Sequence, residues 1–128
     1  MTTILDSGGL SAVALDRTLM DGLIRHGQWP PEVPAIVLTE SLTGDPRRDH
    51  ATDRILAIVK VHDVDERLGR RGAALRTAAR SSRDVSAVDA VVVAMAEQWT
   101  DSLVLTSDLH DIEALTAHAT RPIRVRRV

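Results

Sequence analysis

The sequence contains no cysteine, no phenylalanine and no tyrosine, and it has only two tryptophans. Without cysteine the chain can form neither disulfide bonds nor thiolate metal sites. The scarcity of aromatic side chains leaves Ala, Val, Leu and Ile to fill the core, and it leaves few rings that could stack on the bases of a single-stranded nucleic acid. The hydrophobic fraction of 44% is nevertheless that of an ordinary globular protein.

Long apolar runs and a strong excess of one charge sign are also missing. The chain begins with neither a basic segment nor an apolar stretch long enough for a signal peptide or a membrane span, so we expect a cytoplasmic protein without a membrane segment. Its 128 residues predict a single domain over residues 1–128. The net charge is −2 and Lys60 is the only lysine, so the composition does not indicate a general nucleic-acid binder.

Short apolar segments alternate with helical ones along the chain. Strands are predicted at residues 2–6, 57–64, 102–108 and 121–128, the last as a charged edge strand. Helices are predicted as a short pair within 10–27 and as single segments at 34–44, 45–58, 65–81, 86–99 and 108–118. The proline-rich segment after Trp29 is expected to be extended. Strands separated by helices indicate an α/β protein with a mostly parallel sheet.

Four acidic residues fall where such a sheet would carry a site. Asp6 ends the first strand and Asp108 follows the strand before the last helix. Asp89 lies in the first turn of the helix at 86–99, and Glu40 lies in the helix after the prolines. Ligands of open parallel sheets bind at the carboxyl ends of the strands, so these acids are the candidate site residues.

Each of these acids also has a purely structural interpretation. Asp6 could accept hydrogen bonds from the turn that follows it, and Asp108 could cap a helix. Asp89 forms a capping-box-like pattern with Ser86. Glu40 could be an ordinary surface residue of a half-buried helix. The interpretation of Asp89 as a simple capping acid is weakened by its neighbours in the apolar stretch AVVVAMA, because an ionised carboxylate loses solvation there unless a cation compensates.

A divalent cation would explain all four acids together. Carboxylates that converge on one point repel one another, and a hard cation removes that penalty. An oxygen-only set of ligands without His or Cys suits Mg²⁺ or Mn²⁺ better than Zn²⁺. The natural substrate of such a site is a phosphodiester, because the metal can neutralise phosphate charge and activate water. We therefore predict hydrolysis at a site in which Asp6, Asp89 and Asp108 hold one or two metal ions, with Glu40 as a further ligand or water-mediated partner.

Four segments, ILDSGGL, VLTESLTG, VDAVVVAMAEQ and LVLTSDLHDIEAL, span almost the whole chain in this order. The set resembles the motifs of PIN-domain ribonucleases, specifically the VapC-type toxins of bacterial toxin–antitoxin pairs. The acidic positions of the family motifs match Asp6, Glu40, Asp89 and Asp108, and the small hydroxyl residues that support the last acid match Thr106 and Ser107. One difference is the pair of glycines after Asp6 and Ser7, where many members have a bulkier residue.

The resemblance implies a three-layer α/β/α sandwich and cleavage of RNA that depends on Mg²⁺ or Mn²⁺. It also implies a homodimer and a cognate antitoxin that inhibits the enzyme. The arginines that could ring the acidic centre and contact RNA are Arg25, Arg47 and Arg48, with the tail residues Arg124, Arg126 and Arg127 as further candidates. Asp111, one helical turn beyond Asp108, is a second-tier candidate for the site, although a solvated acid in the first turn of its helix is the favoured interpretation.

Two other functions remain open at this point. A phospho-accepting receiver domain also gathers acids at strand ends, but it needs a lysine after a late strand, and Lys60 lies in the middle of the chain. The other possibility is a catalytically inactive PIN-like module that binds RNA or a protein partner without cutting. Metal-dependent nuclease activity of the purified protein would separate these functions from the predicted one.

Overall fold

The computed structural model describes residues 1–128 and has five strands in one sheet. The strands are β1 (Thr2–Leu5), β2 (Glu32–Pro34), β3 (Lys60–His62), β4 (Ser102–Thr106) and β5 (Ile123–Arg127). The order across the sheet is β3-β2-β1-β4-β5, and every neighbouring pair is parallel. The predicted α/β class and parallel sheet are therefore confirmed.

Seven α-helices connect and cover the strands. They are α1 (Ser7–Leu15), α2 (Arg17–Arg25), α3 (Leu38–Ser41), α4 (Pro46–Leu56), α5 (Glu66–Ala79), α6 (Ala87–Ala96) and α7 (Leu109–Thr116). The connections run from β1 outward through β2 to β3 in one direction and from β4 to β5 in the other. Because crossovers between parallel strands are right-handed, α1–α4 cover one face of the sheet and α5–α7 cover the other.

The helix α6 forms the centre of one helix layer. It contacts β1, β2 and β4, and all seven residues from 90 to 96 are buried. This burial agrees with the prediction from its sequence, which is apolar on every side. The 24 residues of the buried core are aliphatic apart from Met95, and Trp29 packs against the core from its edge. Small aliphatic side chains thus fill the interior, as the composition predicts.

Two predicted elements differ from the structure near the prolines. The helix expected over 34–44 is a short 3-10 turn (Ala35–Val37) followed by the four residues of α3, and the chain is extended again at Leu42. Gly44 then adopts a positive φ of 84°, a conformation that favours glycine. The preceding extended segment contains the buried strand β2, which the sequence prediction did not separate from a loop.

No helix of the structure is both long and apolar enough to cross a membrane. The closing strand β5 lies at the edge of the sheet as predicted, and its arginine side chains are exposed.

Candidate metal centre

Asp6 is the residue that joins β1 to α1. Its carboxylate accepts a 2.7 Å hydrogen bond from the backbone N–H of Gly9, and the residue is only 3% exposed. Burial raises the pKa of Asp6, while the Thr106 hydroxyl and the first backbone N–H groups of α1 act in the opposite direction, and the charge of Asp108 raises it further. The structure therefore contains the capping contact that was one interpretation of Asp6, and it also brings this acid near Asp108.

The two glycines after Asp6 allow α1 to approach the end of β4. A Cβ atom on Gly8 would lie 2.1 Å from the Ser107 side-chain oxygen and 2.8 Å from its backbone nitrogen. A Cβ atom on Gly9 would lie 2.3 Å from the carbonyl oxygen of Leu105. The Gly-Gly pair is thus a requirement of close packing between the first turn of α1 and the carboxyl end of β4.

Asp108 begins the helix that follows β4. Thr106, the fully buried last residue of β4, accepts a 2.9 Å hydrogen bond at its hydroxyl from the Asp108 backbone N–H. The Asp108 carboxylate caps α7 by accepting from the backbone N–H of Asp111 at 3.3 Å, and the residue is exposed. The hydroxyl of Thr106 thus fixes the turn that presents Asp108 at the carboxyl edge of the sheet.

Asp89 lies in the first turn of α6, where its backbone N–H donates to the Ser86 hydroxyl at 3.0 Å. Burial raises the pKa of Asp89 to about 6; the Ser86 hydroxyl opposes this, and the charges of Asp6, Glu40 and Asp111 add to it. No arginine, lysine or histidine forms an ion pair with Asp89. A half-buried carboxylate surrounded by other acids and lacking a basic partner is the main electrostatic anomaly of the structure.

Asp111 lies in the first turn of α7 and joins this cluster, which favours its interpretation as a site residue over that of a solvated acid. Its side chain is 16% exposed and forms an ion pair with Arg83. Asp89, Asp108 and Asp111 each offer one carboxylate oxygen within 4.8 Å of the other two, whereas Asp6 lies outside that group. The structure therefore brings together two of the three predicted metal ligands and adds the second-tier candidate Asp111.

Glu40 lies at the rim of the same region. It is exposed on α3 and lines an entirely polar cleft of about 250 Å³. The other residues that line this cleft are Ser7, Gly8, Ser11, Ser41, Thr52 and Ser107. The cleft thus runs from α3 across the start of α1 to the end of β4. The charge of Glu40 also helps to raise the pKa of Asp89.

The arginines proposed to contact RNA lie on two helices and on the last strand. Arg25, Arg47 and Arg48 are exposed on α2 and α4, and Arg48 forms a 3.8 Å ion pair with Asp45. Four residues after Arg48, on the same face of α4, Thr52 lines the polar cleft. Arg48 is therefore placed one helical turn from the cleft.

The tail arginines divide according to the register of β5. Arg127 pairs with Thr106 at the carboxyl end of β4, whereas Arg124 pairs with Leu103 nearer the other end. Arg124 is moreover held by Asp101 at 2.7 Å. Of the tail residues, Arg127 is therefore the one nearest the acidic cluster.

Arg83 was not recognised from the sequence. It lies between α5 and α6 in a segment without periodic pattern, and its contact with Asp111 joins residues 28 positions apart. Asp111 itself had a usable signal, because its position three residues after the capping acid Asp108 places the two beside each other in the first turn of α7.

The residues present fit a hard divalent cation. Their donor atoms are carboxylate oxygens, which Mg²⁺ and Mn²⁺ prefer, and no cysteine or histidine belongs to the cluster. The raised pKa of Asp89 shows that its charge lacks compensation in the protein alone. Fold and site together define a parallel α/β protein with a carboxylate cluster at the carboxyl edge of its sheet.

Comparisons with known proteins identify solved structures that share this fold. No protein-family model matches the chain, and no curated protein matches it significantly. Solved structures do match over nearly the full length. A chain of the DNA-bound VapBC complex from Salmonella typhimurium has a TM-score of 0.73 at 15% identity, with 99% of this chain and 98% of that chain covered.

Two further complexes agree. A chain of a FitAB complex bound to DNA has a TM-score of 0.70 at 18% identity and covers 98% and 94% of the two chains. A chain of VapBC2 from Rickettsia felis, bound to a promoter DNA fragment, has a TM-score of 0.70 at 13% identity and covers 100% and 99%. At such identities the likeness shows a shared fold, and it is the fold that the sequence resemblance implied.

Proposed function

We propose that this chain is a divalent-cation-dependent endoribonuclease of the VapC type, acting as the toxin of a toxin–antitoxin pair. The observation that carries the proposal is the carboxylate cluster of Asp89, Asp108 and Asp111 beside the buried Asp6, at the edge where parallel sheets bind ligands. The shared fold with chains of VapBC and FitAB complexes supports the biological role.

The roles of the chain's own residues follow from their positions. Asp89, Asp108 and Asp111 would hold the cation, and the buried Asp6 would add negative charge close to them. Glu40, which lines the polar cleft, would orient water or a further ligand. When bound, a divalent cation supplies charge neutralisation at a phosphodiester and lowers the pKa of water.

The substrate proposed is a folded RNA with a short exposed sequence. The chain carries a net charge of −2 and has neither Phe nor Tyr, so its affinity for generic single strands should be low. Recognition of RNA shape by arginines around the cleft is then the remaining route to selectivity. Cleavage of a structured cellular RNA should exceed cleavage of an unstructured oligomer at matched salt.

The candidate docking surface for the proposed antitoxin lies on the helices that also border the polar cleft. An apolar groove of about 420 Å³ lies between α1, α2 and α4, and beside it Leu15 is 77% exposed and Ile58 52% exposed. Exposed apolar surface of this kind marks interaction sites. Because α1 and α4 line both this groove and the polar cleft, an amphipathic helix in the groove could extend a basic side chain toward the acids.

A homodimer is the second proposed association, and the same exposed apolar residues, Leu15 and Ile58, are the candidates for its interface. The oligomeric state of the purified chain, alone and with the product of a small neighbouring reading frame, tests both associations. A monomer that shows no toxicity on expression without that neighbour would contradict them.

The central experiment is an RNase assay with purified protein in Mn²⁺ and in excess chelator. We expect cleavage that requires the metal and is lost in Asp89→Asn. The matched control is Asp84→Asn, which removes an exposed carboxylate that lies outside the cluster. RNA binding without cleavage would instead favour the inactive binding module.

A further inference from the structure

Arg83 is the only basic side chain that contacts the carboxylate cluster. Its Nε donates to a single oxygen of Asp111, and neither Nη1 nor Nη2 has a hydrogen-bond partner in the protein. The side chain is 49% exposed. A guanidinium has five N–H donors, so four of them remain available beside the acids.

The backbone that carries Arg83 is held in place at both ends of its segment. The Arg83 backbone N–H donates to the Ala79 carbonyl at 2.9 Å. Two residues later, the side chain of Val85 is buried and its carbonyl accepts a 2.9 Å hydrogen bond from Arg76 Nε. Ser86 then caps α6. The Asp111 contact thus fixes a guanidinium that projects from a well-supported segment.

The site needs such a group if its substrate is an RNA. Four neighbouring acids repel the phosphate backbone, and a cation held by three carboxylates offsets only part of that charge. A guanidinium binds phosphate oxygens through paired, charge-assisted hydrogen bonds, which a point charge cannot reproduce. Anchoring through Nε leaves both Nη groups available for such a pair.

We propose that Arg83 is a substrate-binding residue whose free Nη groups hold a phosphate oxygen of the RNA beside the carboxylate cluster, while its Nε contact with Asp111 orients it. This inference rests on the proposed function, because it takes an RNA as the substrate. The Arg83–Asp111 pair would then orient the guanidinium for substrate binding as well as joining α7 to the segment before α6.

The test compares Arg83→Gln with Arg80→Gln. Arg80 is exposed, lies three residues earlier in the chain and makes no side-chain hydrogen bond or ion pair, so its variant removes the same charge nearby. Binding of a labelled short RNA hairpin is measured by fluorescence anisotropy in Ca²⁺ over a series of salt concentrations. Mn²⁺ affinity is measured by calorimetry without RNA, and the initial cleavage rate is measured in Mn²⁺.

We expect Arg83→Gln to weaken hairpin binding roughly 10- to 100-fold, which is the value of a charge-assisted hydrogen bond. The slope of log affinity against log salt should fall by about one, because one phosphate contact is lost. Arg80→Gln should leave both unchanged, and Arg83→Lys should keep the salt slope while recovering only part of the affinity. Mn²⁺ affinity should not weaken in Arg83→Gln.

Three results would overturn the inference. Equal losses in the Arg83 and Arg80 variants would mean that only the general field matters, and no loss in either would mean that Arg83 is a structural counter-ion. If the unmodified protein does not bind the hairpin, RNA is not its ligand and Arg83 has no RNA phosphate to hold. The proposed nuclease function fails separately, because it requires Mn²⁺-dependent cleavage by the unmodified protein, whereas the inference is decided by binding.

Discussion

Replacing Asp89 by Asn should make the metal-free protein more stable at neutral pH. Burial among other acids raises the pKa of Asp89 from 3.8 to about 6. One pKa unit corresponds to about 1.36 kcal/mol, so ionising this carboxylate in the folded protein costs up to about 3 kcal/mol. Because the residue is half-exposed and solvent screens part of the interaction, we expect a gain of about 1–2 kcal/mol from the neutral amide.

The sign of the pH dependence follows from the two pKa values. Below pH 3.8 the carboxyl group is protonated in both states and contributes nothing. Between pH 3.8 and about 6 the unfolded chain releases its proton while the folded protein retains it, so wild-type stability falls as pH rises. Above about pH 6 the full penalty is present. The advantage of Asp89→Asn should therefore be complete at pH 7.5 and vanish near pH 4.

Urea unfolding in chelator at these two pH values measures the difference directly. A gain of this size would raise the midpoint of thermal unfolding by about 4–8 °C in a chain of this length. Asp84→Asn, which neutralises an exposed acid, serves as control and should change little. If Asp89→Asn is the less stable protein at pH 7.5, the acid acts as a structural cap and the electrostatic argument is refuted.

The remaining predictions concern packing, a second buried acid and the apolar groove. Gly9→Ala should destabilise the fold by about 2–3 kcal/mol because its Cβ would meet a backbone carbonyl oxygen at 2.3 Å, whereas Gly69→Ala, with open space around it, should be neutral or stabilising in thermal unfolding. Glu97→Gln should cost about 2 kcal/mol of unfolding free energy at pH 7, because Glu97 is buried against an arginine that, with other hydrogen bonds, lowers the pKa of Glu97 below 4.5. This loss of stability should disappear as the pH falls through the lowered pKa. A loss that is the same at every pH would contradict the pairing. Paired Leu15→Glu and Ile58→Glu changes should leave unfolding midpoints within a few degrees and abolish association in sedimentation or copurification; retained association would place the interface elsewhere.

Much of the site could be predicted because its parts obey local rules. Asp6 and Asp108 each follow an apolar strand and cap the next helix, so their positions at the same edge follow from a parallel sheet alone. Asp89 was identified because its helix is apolar on every side, and that helix is buried at the centre of the fold. In these cases the sequence pattern and the tertiary environment agree.

The features that were missed depend on contacts that no local pattern encodes. The pairing of Arg83 with Asp111 joins a loop to a helix 28 residues away and requires that α5, α6 and α7 be packed together first. The strand β2 was obscured because prolines flank it, and prolines ordinarily argue against a buried strand. Here Pro34 ends the strand, where a missing N–H is tolerated.

The tail arginines illustrate a limit of another kind. They lie within one short strand, so its sequence alone does not distinguish them, but the register of β5 against β4 separates them. Arg127 is level with Thr106 beside the site, whereas Arg124 is held by Asp101 near the other end of the sheet. Register is a property of the assembled sheet and could not be predicted from β5 alone.

The most direct test of the proposed function is the Mn²⁺ dependence of RNA cleavage by the purified chain and by its Asp89→Asn and Asp84→Asn variants. The cluster account predicts cleavage of structured RNA by the unmodified chain and by Asp84→Asn, its loss in chelator, and its loss in Asp89→Asn although that variant is folded. Cleavage that persists in chelator, or that survives in folded Asp89→Asn at the unmodified rate, would contradict a nuclease site built on these carboxylates.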